Sequence, residues 1–227
     1  MRLSSDRLTA EGIQRGSRVL QASRIRWHTA AAVACFALSG SLHAQGAPEP
    51  GAAGDGGWRE IYSVLTHPRC LNCHTTTGYP RQGDDRHRHK FGVVRGHEGK
   101  GAPSALCMAC HQASNNASSG VPGGPGWHLA PLSMSWESRP GVAMSSAALC
   151  STLKTRAKNG NHSLAELVEH HQKEPLVLWA FEPGMRSDGT PRAAPPMTHE
   201  QFAKTFAAWV KAGGPCPGPD KTAAASK

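Results

Sequence analysis

The pattern Cys-x-x-Cys-His occurs twice in this sequence, and it restricts what the chain can fold into more than any other feature. It stands at residues 70–74 as Cys-Leu-Asn-Cys-His and at residues 107–111 as Cys-Met-Ala-Cys-His. In c-type haem attachment each thiol joins one vinyl group of the porphyrin, and the adjacent histidine becomes the proximal ligand of the iron. The sequence therefore predicts two covalently attached haem c groups. The predicted attachment residues are Cys70, Cys73, Cys107 and Cys110, and the predicted iron ligands are His74 and His111.

Two other kinds of site use Cys-x-x-Cys pairs. A zinc ribbon combines two such pairs, but the 33 residues between Cys73 and Cys107 exceed its usual separation, and zinc needs no histidine directly after each pair. A thioredoxin-like redox motif needs a strand before it and a helix after it, and it is not expected twice in one small chain. Haem attachment is the stronger interpretation on both counts.

The remaining cysteines also carry information. The chain has seven, of which Cys35 lies in an apolar N-terminal segment, so Cys150 and Cys216 are left without a haem partner. An oxidising compartment favours a disulfide between them. Two free thiols, or an unrelated ligand role, remain the alternatives.

The N-terminal segment resembles an export signal. Arg24 and Arg26 precede a short, alanine-rich apolar run that ends near Ala44, which predicts a signal peptide over 1–44 and a periplasmic location. The run is too short for a good membrane-spanning helix, so membrane association is not expected beyond this leader. Residues 45–57 are predicted as a flexible linker, 58–217 as the folded domain and 218–227 as a disordered tail.

The charge distribution argues against nucleic acid as a partner. The formal charge is +9, but residues 1–44 contain six arginines against Asp6 and Glu11 and so carry +4 of it. Four haem propionates would bring the remaining +5 close to neutral. The chain has few aromatic residues and many glycines and prolines, which is typical of a small core completed by a bound group.

The hydrophobic pattern predicts a mainly α domain: a small cytochrome c-like fold with long loops around the two haems. Trp58, Ile61 and Leu65 have helical spacing and lead into the first motif. Further helices are predicted over 104–114 and 145–157, and after the capping boxes that begin at Ser163 and Thr198. Residues 83–101 are predicted as a polar loop, and no segment alternates convincingly as a strand.

The second axial ligand of each iron decides between electron transfer and catalysis, because a strong sixth ligand closes the site. Met134 follows the second motif, in a position from which a thioether can fold back onto an iron, although an ordinary core methionine is the alternative. His89 lies between the motifs and offers bis-histidine ligation, which lowers the reduction potential relative to methionine. His87, His128 and His170 are further candidates.

Beyond these motifs the sequence resembles a family of small bacterial dihaem c-type proteins described as isoquinoline 1-oxidoreductase subunits. Besides the two haem motifs, the similar stretches are Gln82-Gly-Asp-Asp85, His87-Arg-His89, Val94-Arg-Gly96, Trp127-His-Leu-Ala-Pro131, Met134-Ser-Trp136 and Gly214-Pro-Cys216-Pro217. The chain departs from the family pattern at Glu182, where an aromatic residue is usual. The resemblance implies a cytochrome fold over 58–217 and association with a molybdenum hydroxylase.

Together these observations predict a periplasmic electron carrier that works between a dehydrogenase or molybdenum hydroxylase and the respiratory chain. In such a protein the haem supplies the redox chemistry, and the chain supplies ligands, burial and a docking surface for a redox partner. The alternative is a dihaem enzyme, such as a peroxidase, or a sensor with an open iron. The two motifs are close together for a peroxidase built from two cytochrome domains.

Overall fold

The computed structural model describes residues 55–218. The predicted signal peptide, most of the predicted linker and nearly all of the predicted tail lie outside these residues. The seven α-helices of the described part are α1 (Trp58–Leu65), α2 (Pro68–Leu71), α3 (Cys107–Cys110), α4 (Ser146–Lys154), α5 (Leu164–Lys173), α6 (Pro175–Phe181) and α7 (His199–Lys211). Short 3-10 turns span Lys90–Gly92, His97–Gly99, Leu132–Met134 and Arg156–Lys158.

Three short antiparallel hairpins accompany the helices. Their strands are β1 (Arg81–Gln82) with β2 (His87–Arg88), β3 (Gly101–Ala102) with β4 (Ala105–Leu106), and β5 (Glu137–Arg139) with β6 (Val142–Ala143). The mainly α character of the prediction is confirmed, but the hairpins are missing from it. Strands of two or three residues are too short for the alternation that identifies a strand in sequence.

The predicted helix starts at Ser163 and Thr198 are confirmed. Each side chain accepts a hydrogen bond from the backbone of the residue three positions later, and the Glu166 or Gln201 side chain accepts one in return. Each box thus satisfies two backbone donors at the start of its helix. The helix predicted over 104–114 is shorter than expected, since only 107–110 is helical.

The core lies between the first and last helices. Trp58 of α1 packs against Trp209 of α7 with ring centroids 5.2 Å apart, and Phe206 lies beside Trp209 at 5.3 Å. These three rings, with Ile61, are almost inaccessible to solvent. Because the first Cys-x-x-Cys-His motif begins in α2, shortly after α1, this packing fixes the position of that motif relative to the C-terminal helices.

The disulfide between Cys150 and Cys216 is confirmed. It joins the middle of α4 to the segment after α7, where the Trp209 indole also donates to the Pro215 carbonyl at 2.8 Å. Among residues 55–218 no helix is long and apolar enough to cross a membrane.

Replacing Cys150 and Cys216 together by alanine is expected to lower the free energy of unfolding by about 4 kcal/mol, because the bridge closes a loop over a sequence separation of 66 residues. Chemical denaturation of the oxidised and variant proteins measures this difference. Wild-type protein treated with a reductant should lose a similar amount, and equal stability of all three samples would contradict the prediction.

Candidate functional site

The first motif lies where α2 ends. The backbone N–H groups of Cys73 and His74 both donate to the Cys70 carbonyl, at 3.1 and 3.0 Å, so the motif is one tight turn. Burial raises the pKa of the Cys70 thiol to about 12 and that of Cys73 to about 11. Both thiols line a cleft whose walls also contain residues of α5 and α6, and His74 lines the same cleft.

The ring of His74 is fixed by a hydrogen bond at Nδ1 and by stacking on an indole. Its Nδ1 lies 2.7 Å from the Met134 carbonyl oxygen, to which it donates in the tautomer that leaves Nε2 unprotonated. The ring also lies parallel to the Trp136 indole, with centroids 3.5 Å apart and an interplanar angle of 7°. Burial lowers the pKa of His74 to about 3, so the ring is neutral, as metal ligation requires.

The second motif repeats this arrangement at the surface. Its helix α3 holds both cysteines, and Nδ1 of His111 lies 2.7 Å from the Pro122 carbonyl oxygen. The ring stacks on Trp127 with centroids 4.4 Å apart and an interplanar angle of 3°. Each motif histidine is therefore fixed by one backbone carbonyl and one parallel indole, with Nε2 as the remaining nitrogen.

The two motifs are neighbours in space. The Cys73 and Cys107 thiols interact electrostatically, which adds to the effect of burial on the pKa of Cys73. The buried Arg95 guanidinium ties the chain after His74 to a later segment, because it donates to the carbonyls of Thr75, Thr77 and Ala130. Trp127 belongs to both sites, since it stacks on His111 and also lines the first cleft.

The first cleft has the chemistry of a cofactor pocket. Pockets that bind a small molecule are lined mainly by apolar side chains, with a few polar groups among them. The walls of this cleft are mainly apolar, from residues such as Leu65, Val177 and Phe181. The polar exceptions are two thiols, four imidazoles, the buried Arg69 side chain and the Glu174 carboxylate.

These residues fit a haem. The thiols and His74 occupy one part of an apolar cleft, and the buried Nδ1 of His171 has no hydrogen-bond partner within residues 55–218. An unpartnered buried imidazole nitrogen is costly unless something else engages the ring. Arg69 offers a positive charge for a carboxylate and is paired with Asp84, which also pairs with Arg186.

The second site has an exposed apolar border instead of a cleft. Phe91 is 96% exposed, and Leu106 and Met108, which flank Cys107, are each about half exposed. Large apolar side chains so open to solvent mark surfaces that another group covers. A haem attached at Cys107 and Cys110 would cover apolar surface of this kind.

His89 lies beside the second motif. Its ring centroid is 5.9 Å from that of His111, at an interplanar angle of 70°. Its Nδ1 is 2.7 Å from the Lys90 carbonyl oxygen, and its backbone N–H donates to Pro80 at 3.0 Å, next to the β1–β2 hairpin. The structure thus brings this predicted ligand to the second site, with Nδ1 engaged as in His111.

Met134 lies behind the first motif. Its backbone carbonyl lies 2.7 Å from Nδ1 of His74, so this carbonyl is on the side of the ring away from Nε2. Its buried sulfur lies against Gly160, where an added Cβ would approach Sδ to 2.7 Å. Met134 also lines the first cleft, together with His74 and the two thiols, so its role as a sixth ligand stays a prediction.

The other predicted histidines are divided between surface and cleft. His87 is exposed and pairs with Asp85, with Nδ1 2.6 Å from a carboxylate oxygen. His128 and His170 both line the first cleft.

Sequence reasoning missed His171, which also lines the cleft and is 3% exposed. The sequence feature that could have identified His171 is its helical spacing from Leu167, because this spacing places both residues on the buried face of α5.

A buried carboxylate connects the two sites. Glu137 accepts hydrogen bonds from the Thr75 hydroxyl at 2.8 Å and the Thr76 backbone at 2.9 Å, directly after His74. It also pairs with Arg86 in the β1–β2 hairpin, which leads to His89, and lies 3.4 Å from Nε of Arg81. One carboxylate therefore fixes the segments that follow His74 and precede His89.

No family model matches the chain, and comparison with curated proteins and with solved structures finds no similar protein. The resemblance to dihaem c-type proteins therefore stays a prediction from the sequence. Function is inferred from the residues and contacts described above.

Proposed function

We propose that this chain is a dihaem c-type cytochrome that carries electrons. One observation supports this more than any other: both motif histidines have Nδ1 against a backbone carbonyl and the ring parallel to an indole. A histidine that ligates a metal almost always donates its other ring nitrogen in this way, which fixes its tautomer and orientation. A zinc ribbon or a redox-active disulfide would not need this support twice.

The residues assigned to the haems follow from the motifs. Cys70 and Cys73 would hold the first haem in the cleft, with His74 as its ligand. Cys107 and Cys110 would hold the second at the surface, with His111 as its ligand. When bound, haem c supplies reversible one-electron redox chemistry at its iron. The chain would orient the ligands and surround the first haem with mainly apolar side chains.

His89 is the proposed second ligand at the surface site. The centroids of its ring and that of His111 are 5.9 Å apart at an interplanar angle of 70°, so the two imidazoles would be close enough to hold one ion together. In both rings Nδ1 is engaged by a carbonyl, which leaves Nε2 for the metal. A six-coordinate iron favours electron transfer over catalysis.

The proposed location is the periplasm, where the chain would accept one electron per haem from a dehydrogenase or molybdenum hydroxylase and pass each to another redox protein. The sequence of residues 1–44 supports export. The disulfide between Cys150 and Cys216 supports an oxidising compartment. The exposed second site is the one that a protein partner can approach most closely.

The test is a visible spectrum of the reduced protein, matured in a periplasm that attaches haem, before and after the addition of carbon monoxide. We expect c-type bands that do not shift, because both irons are six-coordinate. Shifted bands in the wild-type protein would favour the enzyme or sensor function. Absence of covalent haem would contradict the proposal altogether.

The variant His89→Ala sharpens this test. It removes the proposed second ligand at the surface site, so carbon monoxide is expected to bind half of the haem in the protein. His87→Ala is the matched control, since His87 lies in the same hairpin and pairs with Asp85. Binding by the control variant, or none by His89→Ala, would count against His89 as a ligand.

A further inference from the structure

Arg95 carries a buried positive charge between the two motifs. The residue is only 9% exposed. Its backbone N–H donates to the Gly78 carbonyl at 2.8 Å, and its carbonyl accepts from the Gly101 N–H at 2.9 Å. Gly101 begins the β3–β4 hairpin, which leads directly into α3 and Cys107. Arg95 therefore joins the segment that follows the first motif to the segment that precedes the second.

The Arg95 guanidinium is surrounded by neutral acceptors. Its Nε donates to the Thr77 carbonyl at 3.2 Å, its Nη2 to the Thr75 carbonyl at 2.8 Å, and its Nη1 to the Ala130 carbonyl. A guanidinium has more N–H donors than these three, since each Nη carries a second hydrogen. No Asp or Glu among residues 55–218 forms an ion pair with Arg95.

A buried cation of this kind is costly unless an anion is paired with it. Carbonyl oxygens satisfy N–H groups but carry only partial negative charge. The neighbouring arginines do have carboxylate partners, since Arg69 is paired with Asp84 and Arg86 with Glu137. Arg95 differs from them, and its N–H groups and its charge both favour a bound anion.

The contacts of Arg95 place its guanidinium at the border of the first cleft. Ala130, which accepts from Nη1, lines that cleft, and Thr75, which accepts from Nη2, directly follows His74. Haem brings two propionate carboxylates, and a guanidinium binds a carboxylate with two parallel hydrogen bonds. The haem proposed for this cleft thus carries the anion that Arg95 lacks.

Arg192 has similar hydrogen bonds in a different place. It donates to the carbonyls of Pro183, Met185 and Gly120, and it forms no ion pair within the described part of the chain. None of these four residues lines the first cleft, and Arg192 is partly exposed to water. It is a matched control for Arg95, with the same charge and the same number of carbonyl acceptors.

We infer that Arg95 binds a propionate of the haem attached at Cys70 and Cys73 and raises the reduction potential of that haem. The inference rests on the proposed function, because it requires a haem in the first cleft. A propionate charge favours ferric over ferrous iron, and a guanidinium beside it offsets that effect. Arg95 is a positioning residue for the cofactor and does not ligate the iron.

The first test is a redox titration of the full chain with both haems attached, in wild type and in Arg95→Gln. At a fixed potential the ferric-to-ferrous ratio of one haem should rise by about tenfold, the effect of one unit charge in a partly buried site. For one electron this corresponds to a potential lower by about 60 mV. The potential of the other haem should stay unchanged.

The second test is the propionate bending band in the resonance Raman spectrum, which reports hydrogen bonding to the propionate itself. The band should shift in Arg95→Gln and stay in place in Arg192→Gln, which should also keep both potentials. A merely structural role would not distinguish these two variants. Equal changes in both variants, or no change in Arg95→Gln, would overturn the inference.

Arg95→Lys covers the case in which Arg95→Gln does not mature. It keeps the positive charge but loses the planar guanidinium, so both potentials should stay near those of wild type while the propionate band shifts. An unshifted band in Arg95→Lys would exclude Arg95 as a propionate partner.

The haem concerned is identified in a chain that also carries Cys107→Ala and Cys110→Ala and so keeps only the first haem. There Arg95→Gln should still lower the potential and shift the band, and loss of both effects would overturn the assignment to the first haem. Absence of covalent haem from the wild type would refute the proposed function itself. With haem present and the Arg95 variants unchanged, only this inference fails.

Discussion

Replacing Cys70 and Cys73 together by alanine is expected to halve the covalent haem content and to destabilise the domain severely. The first cleft is lined by core residues such as Leu65 and Phe202, and an unfilled cavity loses the contacts of its lining. We expect the free energy of unfolding to fall by at least the ~3–5 kcal/mol typical of truncating a large core side chain. The amount of covalent haem per chain measures the first effect, and chemical denaturation measures the second.

The matched variant replaces Cys107 and Cys110, and it should also halve the haem content. Its stability loss should be clearly smaller, because the second motif lies at the surface and Cys110 is exposed. Equal losses of stability in the two double variants would contradict the assignment of one enclosed and one exposed site. Two haems retained in either variant would contradict covalent attachment by these cysteines.

Glu137→Gln is expected to lower the free energy of unfolding by about 3–5 kcal/mol at neutral pH, the cost typical of removing one partner of a buried charge pair. The carboxylate is buried and pairs with Arg86, and hydrogen bonds from Thr75 and Thr76 complete its environment. The variant leaves the Arg86 charge without its partner. Urea denaturation of the haem-loaded proteins measures the difference.

The difference in the free energy of unfolding between wild type and Glu137→Gln is expected to decrease as the pH falls. Burial alone raises the pKa of Glu137, but the hydrogen bonds from Thr76 and Thr75 and the Arg86 charge outweigh it, so the net pKa lies below the ordinary value. The stabilisation is therefore fully present above the unfolded-state pKa and is lost as the pH falls through the folded-state pKa. The gap between wild type and Glu137→Gln should narrow in acid.

Glu98→Gln is the control for this prediction. Glu98 is exposed and pairs with Lys100 two residues away, an arrangement that contributes little to stability. Its substitution should leave the denaturation midpoint unchanged at neutral pH. If both substitutions had the same effect, Glu137 would not be the structural link that its contacts indicate.

Local signals were sufficient to predict much of this fold. The capping boxes at Ser163 and Thr198 satisfy backbone donors within four residues, so the sequence alone predicts those helix starts. The bridge between Cys150 and Cys216 follows from counting the cysteines that no motif uses. Each signal is short-range or compositional, and neither depends on how distant segments pack.

What the sequence did not predict depends on long-range contacts. Glu137 is an ordinary acidic residue in sequence, and only its contacts with Thr75 and Arg86, 62 and 51 positions away, reveal its role. Helix α6 begins with Pro175 directly after Glu174, and the Glu174 side chain makes no capping hydrogen bond. The separate environments of His170 and His171 likewise appear only when α5 packs on α7.

Trp127 gives the two sites a common wall. Its indole is parallel to the ring of His111 and edge-on to Trp179 at 4.7 Å, and both indoles line the first cleft. Residues that share a contact partner show interaction energies beyond the sum of their separate effects. Substitutions at the two sites should therefore be non-additive in a double-mutant cycle, and the protein would behave as one two-centre unit instead of two independent ones.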